Sequence, residues 1–407
     1  MFNFKLKNPR KFTGNEMKYL RKVIRSETWS SLSGSWVGKL EQSFNESINS
    51  NFSIAMNSGT STLHSILESL NLPEGGEVLI PALSVIMDST VCFLSNLVPI
   101  YVDVDPKTFL VDPEDLKKKI SKNSCAIITV SLYGNVPEMD EIMEIANSNS
   151  LYLIEDNAQA IFASSGNKKV GDWGIASSWS FENTKHISCG EGGMVTTNNE
   201  DLAEIIRKIG GHGFKNLKAE EGRVRLVDDV FQDPSYERHD KLGWNYRMSE
   251  ITAAVALAQL ERAEELVEMR RYNAKKLIEA IDSHKILQPQ LVKEHNKCDY
   301  YTFSCLYNAE YSKGCSWYDF RKLFKEKTGM GIYGAWQVQY KEPMIYNGTF
   351  KYRNRNIYDN LDYKDTNCPN AETVQGKIMQ FKTNLRSRRL VNKIASQLNS
   401  LIKEVGI

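Results

Sequence analysis

Residues 125–160, CAIITVSLYGNVPEMDEIMEIANSNSLYLIEDNAQA, contain two apolar runs separated by a segment of helical character. The runs CAIITVSLYG and LYLIED are apolar along their whole length, which is typical of strands that are covered on both faces. The intervening segment, Glu138 to Ser150, has the composition and spacing of a helix. This order of strand, helix and strand predicts a parallel β-α-β unit.

The same alternation extends outward from this stretch, from Asn51 to Thr197. Further predicted strands are FSIAM, EVLIP, VPIYVDVD and GMVTT, and a further helix covers Ser61 to Leu72. We therefore predict an α/β fold, in which a large domain holds a mostly parallel sheet sandwiched by helices. Residues 249–281 are predicted to form one long helix that leads to a smaller C-terminal α+β domain. The predicted bounds are 14–265 and 266–407, with residues 1–13 packing with the smaller domain.

The composition excludes several functional classes. The 407 residues carry a net charge of +1, which does not provide the basic surface that binds nucleic acid or an anionic membrane. No apolar run is long enough to span a bilayer, and the basic N-terminus lacks the apolar centre of a secretory signal. The seven cysteines are scattered, without the spacing of a metal site. We expect a cytoplasmic protein with no metal, nucleic-acid or membrane partner.

Polar residues follow several of the predicted strands, at the sheet edge where ligands bind in parallel folds. Gly59 and Thr60 lie in NSGTSTL, between a strand and a helix, where backbone N–H groups can bind a phosphate. Asp156 follows the strand LYLIE, Ser180 lies near the end of the strand-like run ASSWSF, and Lys185 follows that run. Simpler interpretations exist: a helix cap for the first two sites, and a solvated charge or a phosphate contact for Lys185.

Taken together, these residues fit pyridoxal phosphate. The aldehyde of this cofactor needs a lysine amine, its ring nitrogen needs a carboxylate that stabilises the bound proton, and its phosphate needs N–H and hydroxyl donors. The glycines that follow Lys185 allow a tight turn beside such a cofactor. The sequence has no GxxxxGK[ST] loop and no convincing GxGxxG after a strand, so no nucleotide motif competes.

Four segments occur in an order that is typical of one family. They are NSGTSTL, IEDNAQA, the stretch from Ser180 through Lys185 to the GEGG turn at 190–193, and GWNYRMSEITAAVALAQLER. On these segments the chain resembles the DegT/StrS family of sugar aminotransferases, within the fold-type-I enzymes that use pyridoxal phosphate. The resemblance extends from about Trp29 to the C-terminus.

The resemblance implies a role for each matching residue. Lys185 would bond the cofactor and move the proton, Asp156 would pair with the ring nitrogen, and Gln159 would lie near the phenolic oxygen. The phosphate would be held by Gly59, Thr60 and Ser180. Asn245 would reach the phosphate of the neighbouring subunit's cofactor, which implies a homodimer with shared active sites.

The sequence departs from the family pattern at three places. Val85 stands where many members have an aromatic residue that stacks on the cofactor ring. The segment from Gly213 to Gly243 is longer than in the simplest members, and we expect a charged loop near the cleft mouth. The loop that begins at Tyr333 lacks the histidines that many members have there.

The implied reaction is amino transfer from L-glutamate to a keto-sugar, with pyridoxamine 5'-phosphate as the second cofactor form. The default acceptor is a nucleotide-linked 3- or 4-keto sugar, and a keto-sugar phosphate is the other acceptor considered. Related dehydratases have histidine in place of the lysine, and this chain keeps Lys185 followed by His186. A sugar dehydratase and a non-catalytic regulator that binds the cofactor are the alternatives. Candidate substrate contacts are His186, Arg247 and Tyr333, with Arg223, Arg225 and Arg238 as either phosphate contacts or solvated charges.

Overall fold

The structure is a computed structural model that describes residues 11–224 and 226–407. The helices are α1 Glu16–Ser26, α2 Trp36–Ile48, α3 Gly59–Ser69, α4 Met87–Leu94, α5 Pro113–Lys119, α6 Met139–Ser148, α7 Glu200–Gly210, α8 Asp228–Gln232, α9 Glu250–Leu260, α10 Ala263–Ile281, α11 Trp317–Thr328, α12 Pro343–Tyr346, α13 Arg355–Tyr358, α14 Pro369–Gln375 and α15 Arg388–Val405. The strands are β1 Phe52–Met56, β2 Glu77–Pro81, β3 Val98–Val102, β4 Ser124–Val130, β5 Tyr152–Asp156, β6 Ser164–Ser165, β7 Lys168–Lys169, β8 Ala176–Ser180, β9 Gly193–Thr197, β10 Leu287–Pro289, β11 Asn296–Lys297, β12 Thr302–Tyr307, β13 Tyr333–Gly334 and β14 Ile378–Lys382.

The large sheet has seven strands in the order β1-β9-β8-β5-β4-β2-β3. The run from β8 to β3 is parallel, and β9 is antiparallel to both of its neighbours, β1 and β8. This arrangement confirms the predicted α/β fold with a mostly parallel sheet. The carboxyl ends of the parallel strands meet at one edge, where the functional residues are expected.

The strands are apolar throughout because both faces of the sheet are covered. Ile80 and Ile128 face one hydrophobic core, while their neighbours Leu79 and Ile127 face the other. All four side chains are fully buried, and each contributes about 1.5–3 kcal/mol relative to an exposed position. Successive residues of a strand point to opposite faces, so a strand between two cores needs apolar residues at nearly every position.

The predicted helix over residues 249–281 is wrong in one respect, because the structure has two helices there. α9 ends at Leu260 and α10 begins at Ala263. The break falls at Arg262, whose φ and ψ of −119° and 12° are not helical. Its guanidinium bonds to Glu265 and to the Thr13 hydroxyl. No glycine or proline marks this break, which explains why the sequence pattern misses it.

The C-terminal part contains a four-stranded sheet in the order β10-β12-β14-β13. α10, α11 and α15 pack with it around a third hydrophobic core. Residues 338–374 depart from a simple two-domain division, because they pack against a core of the large sheet. Phe350 stacks on Phe93 with ring centroids 4.1 Å apart, and the Tyr358 hydroxyl donates to the Leu97 carbonyl at 3.0 Å. The bounds 14–265 and 266–407 stay a prediction.

The described part of the N-terminal segment begins at Lys11. Lys11 donates to the Asn183 carbonyl, and Thr13 accepts from Arg262 at 2.7 Å. Both partners belong to the predicted large domain, so the packing of residues 11–13 extends beyond the smaller domain that was predicted for them. The rest of that prediction concerns residues 1–10, which lie outside the described residues.

Among the residues that the structure describes, no helix combines the length and apolar character needed to cross a bilayer.

Candidate active site

A cleft of about 1020 Å³ opens at the carboxyl edge of the parallel strands, between the large sheet and the four-stranded sheet. β12 and β14 contribute Thr302, Gln380 and Lys382 to its wall. The cleft brings together most of the residues singled out by the sequence: Gly59, Thr60, Val85, Asp156, Gln159, Ser180, Lys185 and Tyr333.

The first turn of α3 forms one end of the cleft. Ser58 caps this helix, since its Oγ accepts the Ser61 N–H at 3.1 Å. Gly59 and Thr60 follow the cap and line the cleft together with Ser180. The N–H groups at the start of a helix have no intrahelical acceptor, and they bind anions well. The cap is therefore Ser58 itself, and the two residues after it are available to a bound anion.

Asp156 is the carboxylate of the cleft, at the end of β5, with 2% of its surface exposed. Its Oδ1 accepts the Ala158 N–H at 2.9 Å. Burial raises the pKa of Asp156, while the Ala158 N–H and the charge of Lys185 act in the opposite direction. The sheet thus presents a carboxylate whose charge responds to a nearby cation.

Gln159 is buried beside the cleft, and its Oε1 accepts the Tyr133 N–H at 2.8 Å. The amide oxygen is thereby occupied, which leaves the NH₂ group as the donor that a cleft ligand can use. Tyr133 has φ +63° and ψ 9°, in the left-handed region. A buried tyrosine in this conformation is strained, and such strain is concentrated at functional sites. The sequence gives no signal for it.

The loop that carries Lys185 is held by a buried arginine from α10. Arg270 donates from Nη2 to the carbonyls of Thr184 and Lys185, at 2.8 and 2.9 Å. Its Nη1 donates to the Tyr301 carbonyl at 2.7 Å. Burial lowers the pKa of Arg270 to about 10, so the guanidinium remains charged at neutral pH. The Lys185 Nζ lies 4.8 Å from the centroid of the Tyr301 ring.

Two glycines after Lys185 occupy positions that other residues would not fit. Gly190 has φ +95°, a conformation that favours glycine. At Gly193 a Cβ atom would lie 2.6 Å from the Ser58 carbonyl oxygen. These two residues allow the lysine loop to turn back and pack directly against the start of α3.

Three predicted site residues are not in the cleft wall. His186 is buried with Nε2 3.2 Å from the Asp299 carbonyl oxygen, and burial together with the Arg270 charge holds its pKa well below the usual range. This geometry does not favour a substrate contact for His186, because its ring is turned into the protein, and that role stays a prediction. Asn245 is exposed on the surface, and Arg247 is half-buried beside β1. The structure brings neither to the cleft of its own chain.

The arginines of the long loop make local contacts. Arg223 pairs with Glu221, and Arg238 donates to the carbonyls of Tyr236 and Phe231. These contacts favour structural roles over the phosphate contacts that were considered. Arg225 lies outside the described residues.

The cleft also contains charged and aromatic residues that sequence reasoning missed. Lys11 is one of them, and burial, with repulsion from Arg270 and Arg386, lowers its pKa to about 8. Lys382 lies with its Nζ 5.1 Å from the centroid of the Tyr333 ring. Further residues of this wall are Arg270, Tyr301, Arg321, Trp336 and Arg386. They are far apart in sequence, so only the fold reveals that they share one surface.

These residues fit pyridoxal phosphate on structural grounds. A lysine amine, a buried carboxylate and a helix N-terminus line one cleft, and they match the aldehyde, the ring nitrogen and the phosphate of the cofactor. Two buried groups beside the carboxylate, the Ser84 hydroxyl and the Asp88 carboxyl, have no hydrogen-bond partner among the described residues. The fold and the site together define a transferase-like protein of fold type I.

Comparison with known proteins specifies the family. Residues 11–384 match the model of the DegT/DnrJ/EryC1/StrS aminotransferase family. The chain belongs to this family, as the sequence motifs predicted.

Individual relatives agree with this assignment. The chain is 35% identical over 64% of its length to a GDP-perosamine synthase of Escherichia coli O157:H7, and 36% identical over 62% to one of Caulobacter vibrioides. It spans 66% and 63% of those relatives, slightly less than two thirds of their length. It is also 28% identical over 71% of its length, and 75% of the relative's, to an E. coli GDP-4-keto-6-deoxy-D-mannose 3-dehydratase. An aminotransferase structure from Psychrobacter cryohalolentis aligns with a TM-score of 0.85 and 24% identity, covering 98% of this chain and 99% of that one. At this identity the structural likeness shows the fold.

Proposed function

We propose that this protein is an aminotransferase that uses pyridoxal phosphate to move the amino group of L-glutamate to a keto-sugar. The observation that carries the proposal is the shared cleft of Lys185, Asp156 and the N-terminus of α3. When bound, pyridoxal phosphate supplies an aldehyde and a ring that accepts electrons. The family to which the chain belongs supports the same reaction type.

Each residue of the cleft has a separate role in the proposed reaction. The Lys185 amine would hold the cofactor through its aldehyde and, as a free amine, would serve as the base that moves a proton between the donor's α-carbon and the carbon that carries the cofactor aldehyde. Arg270 holds the backbone of Lys185 through the carbonyl contacts described above. The Lys185 side chain can therefore move while its backbone stays in place. Asp156 would keep the ring nitrogen cationic, and the N–H groups of Gly59 and Thr60 would hold the phosphate.

The acceptor that fits the outer cleft is an anionic sugar. Lys11, Arg321 and Lys382 bring positive charge to this wall, beside the exposed rings of Tyr333 and Trp336. Cations suit a phosphate or diphosphate, and exposed aromatic rings suit the stacking of a base. A nucleotide-linked 3- or 4-keto sugar satisfies both features, and a keto-sugar phosphate satisfies the first. The names of two relatives, which include a GDP-linked product, support the nucleotide-linked acceptor.

The dehydratase alternative is less well supported by the site. Removal of a sugar hydroxyl in the related enzymes relies on a histidine in place of the lysine, and the position here holds Lys185. The neighbouring histidine, His186, cannot substitute for it because its ring is buried against the Asp299 carbonyl.

We also propose that two copies of the chain complete each other's sites. Asn245 is exposed and absent from the cleft of its own chain. The Asn245 backbone carbonyl accepts a hydrogen bond from the Asn57 side chain at 3.3 Å. Asn57 lies between the end of β1 and the start of α3, where the proposed anion site is located. Mixing Lys185→Ala chains with Asn245→Ala chains tests this proposal: recovery of activity in the mixture supports shared sites, and its absence argues against them.

The first test of function is the visible absorption spectrum of the purified protein, before and after addition of L-glutamate. A band of lysine-bound cofactor that glutamate converts to the amine form supports the proposal. The band should be lost in Lys185→Ala and kept in Lys215→Ala, a control lysine that is half-buried outside the cleft wall. A protein that stays colourless with added pyridoxal phosphate contradicts the cofactor, and a band unchanged by glutamate contradicts the donor.

A further inference from the structure

A second carboxyl group lies beside Asp156. Asp88, in the first turn of α4, is fully buried, and neither of its oxygens has a hydrogen-bond donor among the described residues. The Ser89 N–H, which could have served it, donates to Gln339 instead. The Asp88 and Asp156 carboxyl groups are close enough to influence each other's charge directly, although neither has a proton donor to offer the other when both are ionised. The buried Ser84 hydroxyl lies close to it without a hydrogen bond of normal geometry.

Two carboxyl groups in contact, both buried, must share at least one proton. Two carboxylates at this distance repel each other, and neither is hydrated. A hydrogen bond between them exists only if one of the two is protonated, because an ionised carboxylate has no donor. The pair therefore holds a proton that an isolated surface aspartate would have lost at neutral pH.

The surroundings decide which carboxyl group carries this proton. Asp156 accepts the Ala158 N–H and lies near the positive charge of Lys185, and both favour its anionic form. For Asp88 the Ser84 hydroxyl is the group that acts in this direction, and the titratable groups that sense the Asp88 charge are Asp156, Cys92 and Tyr101, none of them cationic. Burial and the Asp156 charge raise the pKa of Asp88 well above its usual range.

We propose that Asp88 is a positioning residue: its carboxyl group keeps the shared proton and uses it to donate a hydrogen bond to Asp156, which thereby stays anionic and oriented toward the cofactor ring nitrogen. The part that concerns the ring rests on the proposed function. A carboxylate that accepts a hydrogen bond is less basic than a bare one. The donation therefore keeps the second proton on the ring nitrogen, because Asp156 no longer competes for it.

The location of the proton can be tested in the cofactor-free protein by infrared spectroscopy. The difference spectrum between the wild type and Asp88→Asn should show the loss of one protonated carboxyl C=O band. The same band should shift in Asp156→Asn, because its acceptor changes. Asp103→Asn is the matched control, since Asp103 is a buried aspartate that accepts backbone N–H groups far from the pair, and it should leave the band unchanged. No band difference for Asp88→Asn would overturn the proposal.

The effect on the ring is tested with cofactor labelled with ¹⁵N at the ring nitrogen. Asp88→Asn retains an N–H donor and should keep the wild-type chemical shift, whereas Asp88→Leu should move it toward the unprotonated value. Equal shifts in all three proteins would overturn the donor role. If the protein does not bind pyridoxal phosphate, the proposed function fails while the infrared experiment still decides where the proton lies.

Discussion

Glu155 and Asp156 are adjacent carboxylates on β5, both almost fully buried, yet their surroundings differ completely. Glu155 accepts the N–H groups of Gly171, Trp173 and Gly174 at 2.8–2.9 Å. It fastens the turn before β8 to the sheet. Because successive residues of a strand point to opposite faces, the next carboxylate faces the cleft.

Asp156 has one backbone donor, Ala158, and a protonated neighbour in the proposed arrangement. Its remaining acceptor capacity is left for a ligand. The comparison teaches that burial does not distinguish these two carboxyl groups: Glu155 is saturated by backbone donors, whereas Asp156 keeps capacity for a ligand.

Replacing Asp156 should have the largest effect: activity should fall strongly while the stability of the protein does not decrease. We expect Asp156→Asn to lower kcat/KM for amino transfer by about 10²- to 10³-fold, because the ring nitrogen loses its anionic partner. The free energy of unfolding of the cofactor-free protein should stay the same or rise, because the carboxyl pair is relieved. Steady-state kinetics and denaturant unfolding measure the two effects, and a large loss of stability would contradict the distinction from Glu155.

Replacing Glu155 should have the opposite result. Glu155→Gln retains the shape but puts an NH₂ group where N–H donors converge, so we expect the free energy of unfolding to fall by about 1–3 kcal/mol. Activity per folded molecule should be unchanged, since Glu155 does not line the cleft. An activity loss equal to that of Asp156→Asn would break the comparison.

The carboxyl pair should also give the cofactor-free protein an unusual pH dependence. Because the pKa values of Asp88 and Asp156 are raised, the native state retains a proton that the unfolded state has lost above about pH 4. Stability should therefore fall as pH rises from that point toward the raised pKa, by about 1.4 kcal/mol per pH unit for one proton. Urea unfolding across pH should show this slope in the wild type and a flatter one in Asp88→Asn. Equal slopes would contradict the pairing.

The smallest expected effect concerns the cations of the cleft. With its pKa lowered to about 8, Lys11 loses its charge as pH rises through that value. The KM for an anionic acceptor should then increase by about threefold, and Lys11→Met should abolish this pH dependence. Lys208 provides the contrast, because it is paired with Glu204 and Asp240 at 3.1 and 2.9 Å. Lys208→Met should leave KM unaffected, and a matching change there would argue for a general charge effect.

Much of the fold could be predicted from the sequence. The strands of the large sheet lie between two cores and are therefore apolar at nearly every position, which makes them visible without any structure. The break at Arg262 could not be predicted because it has no glycine or proline. The return of residues 338–374 to the first core depends on contacts between distant segments, which local patterns do not contain.

The candidate site divides in the same way. Lys185, Asp156, Ser180 and the Gly59 segment follow strand ends, so local patterns and family motifs find them. Asp88, Arg270 and Lys11 lie on a helix turn, in a helix interior and near the N-terminus, where a charged residue is usually solvated. Only the three-dimensional structure shows that Arg270 and Lys11 line the cleft and that Asp88 is buried near Asp156. His186 shows the converse, because it is adjacent to Lys185 in sequence and yet is buried outside the cleft wall.

The packing of residues 338–374 has a consequence for biosynthesis. The Tyr358 and Tyr363 hydroxyls donate to carbonyls of Phe93, Leu97 and Pro99, more than 260 residues earlier in the chain. On the ribosome, the strands of the large sheet emerge well before the aromatic residues that cover one of their faces. The nascent protein thus exposes an apolar surface until translation has passed Tyr363, and during that interval this surface is a substrate for chaperones that bind unfolded hydrophobic segments.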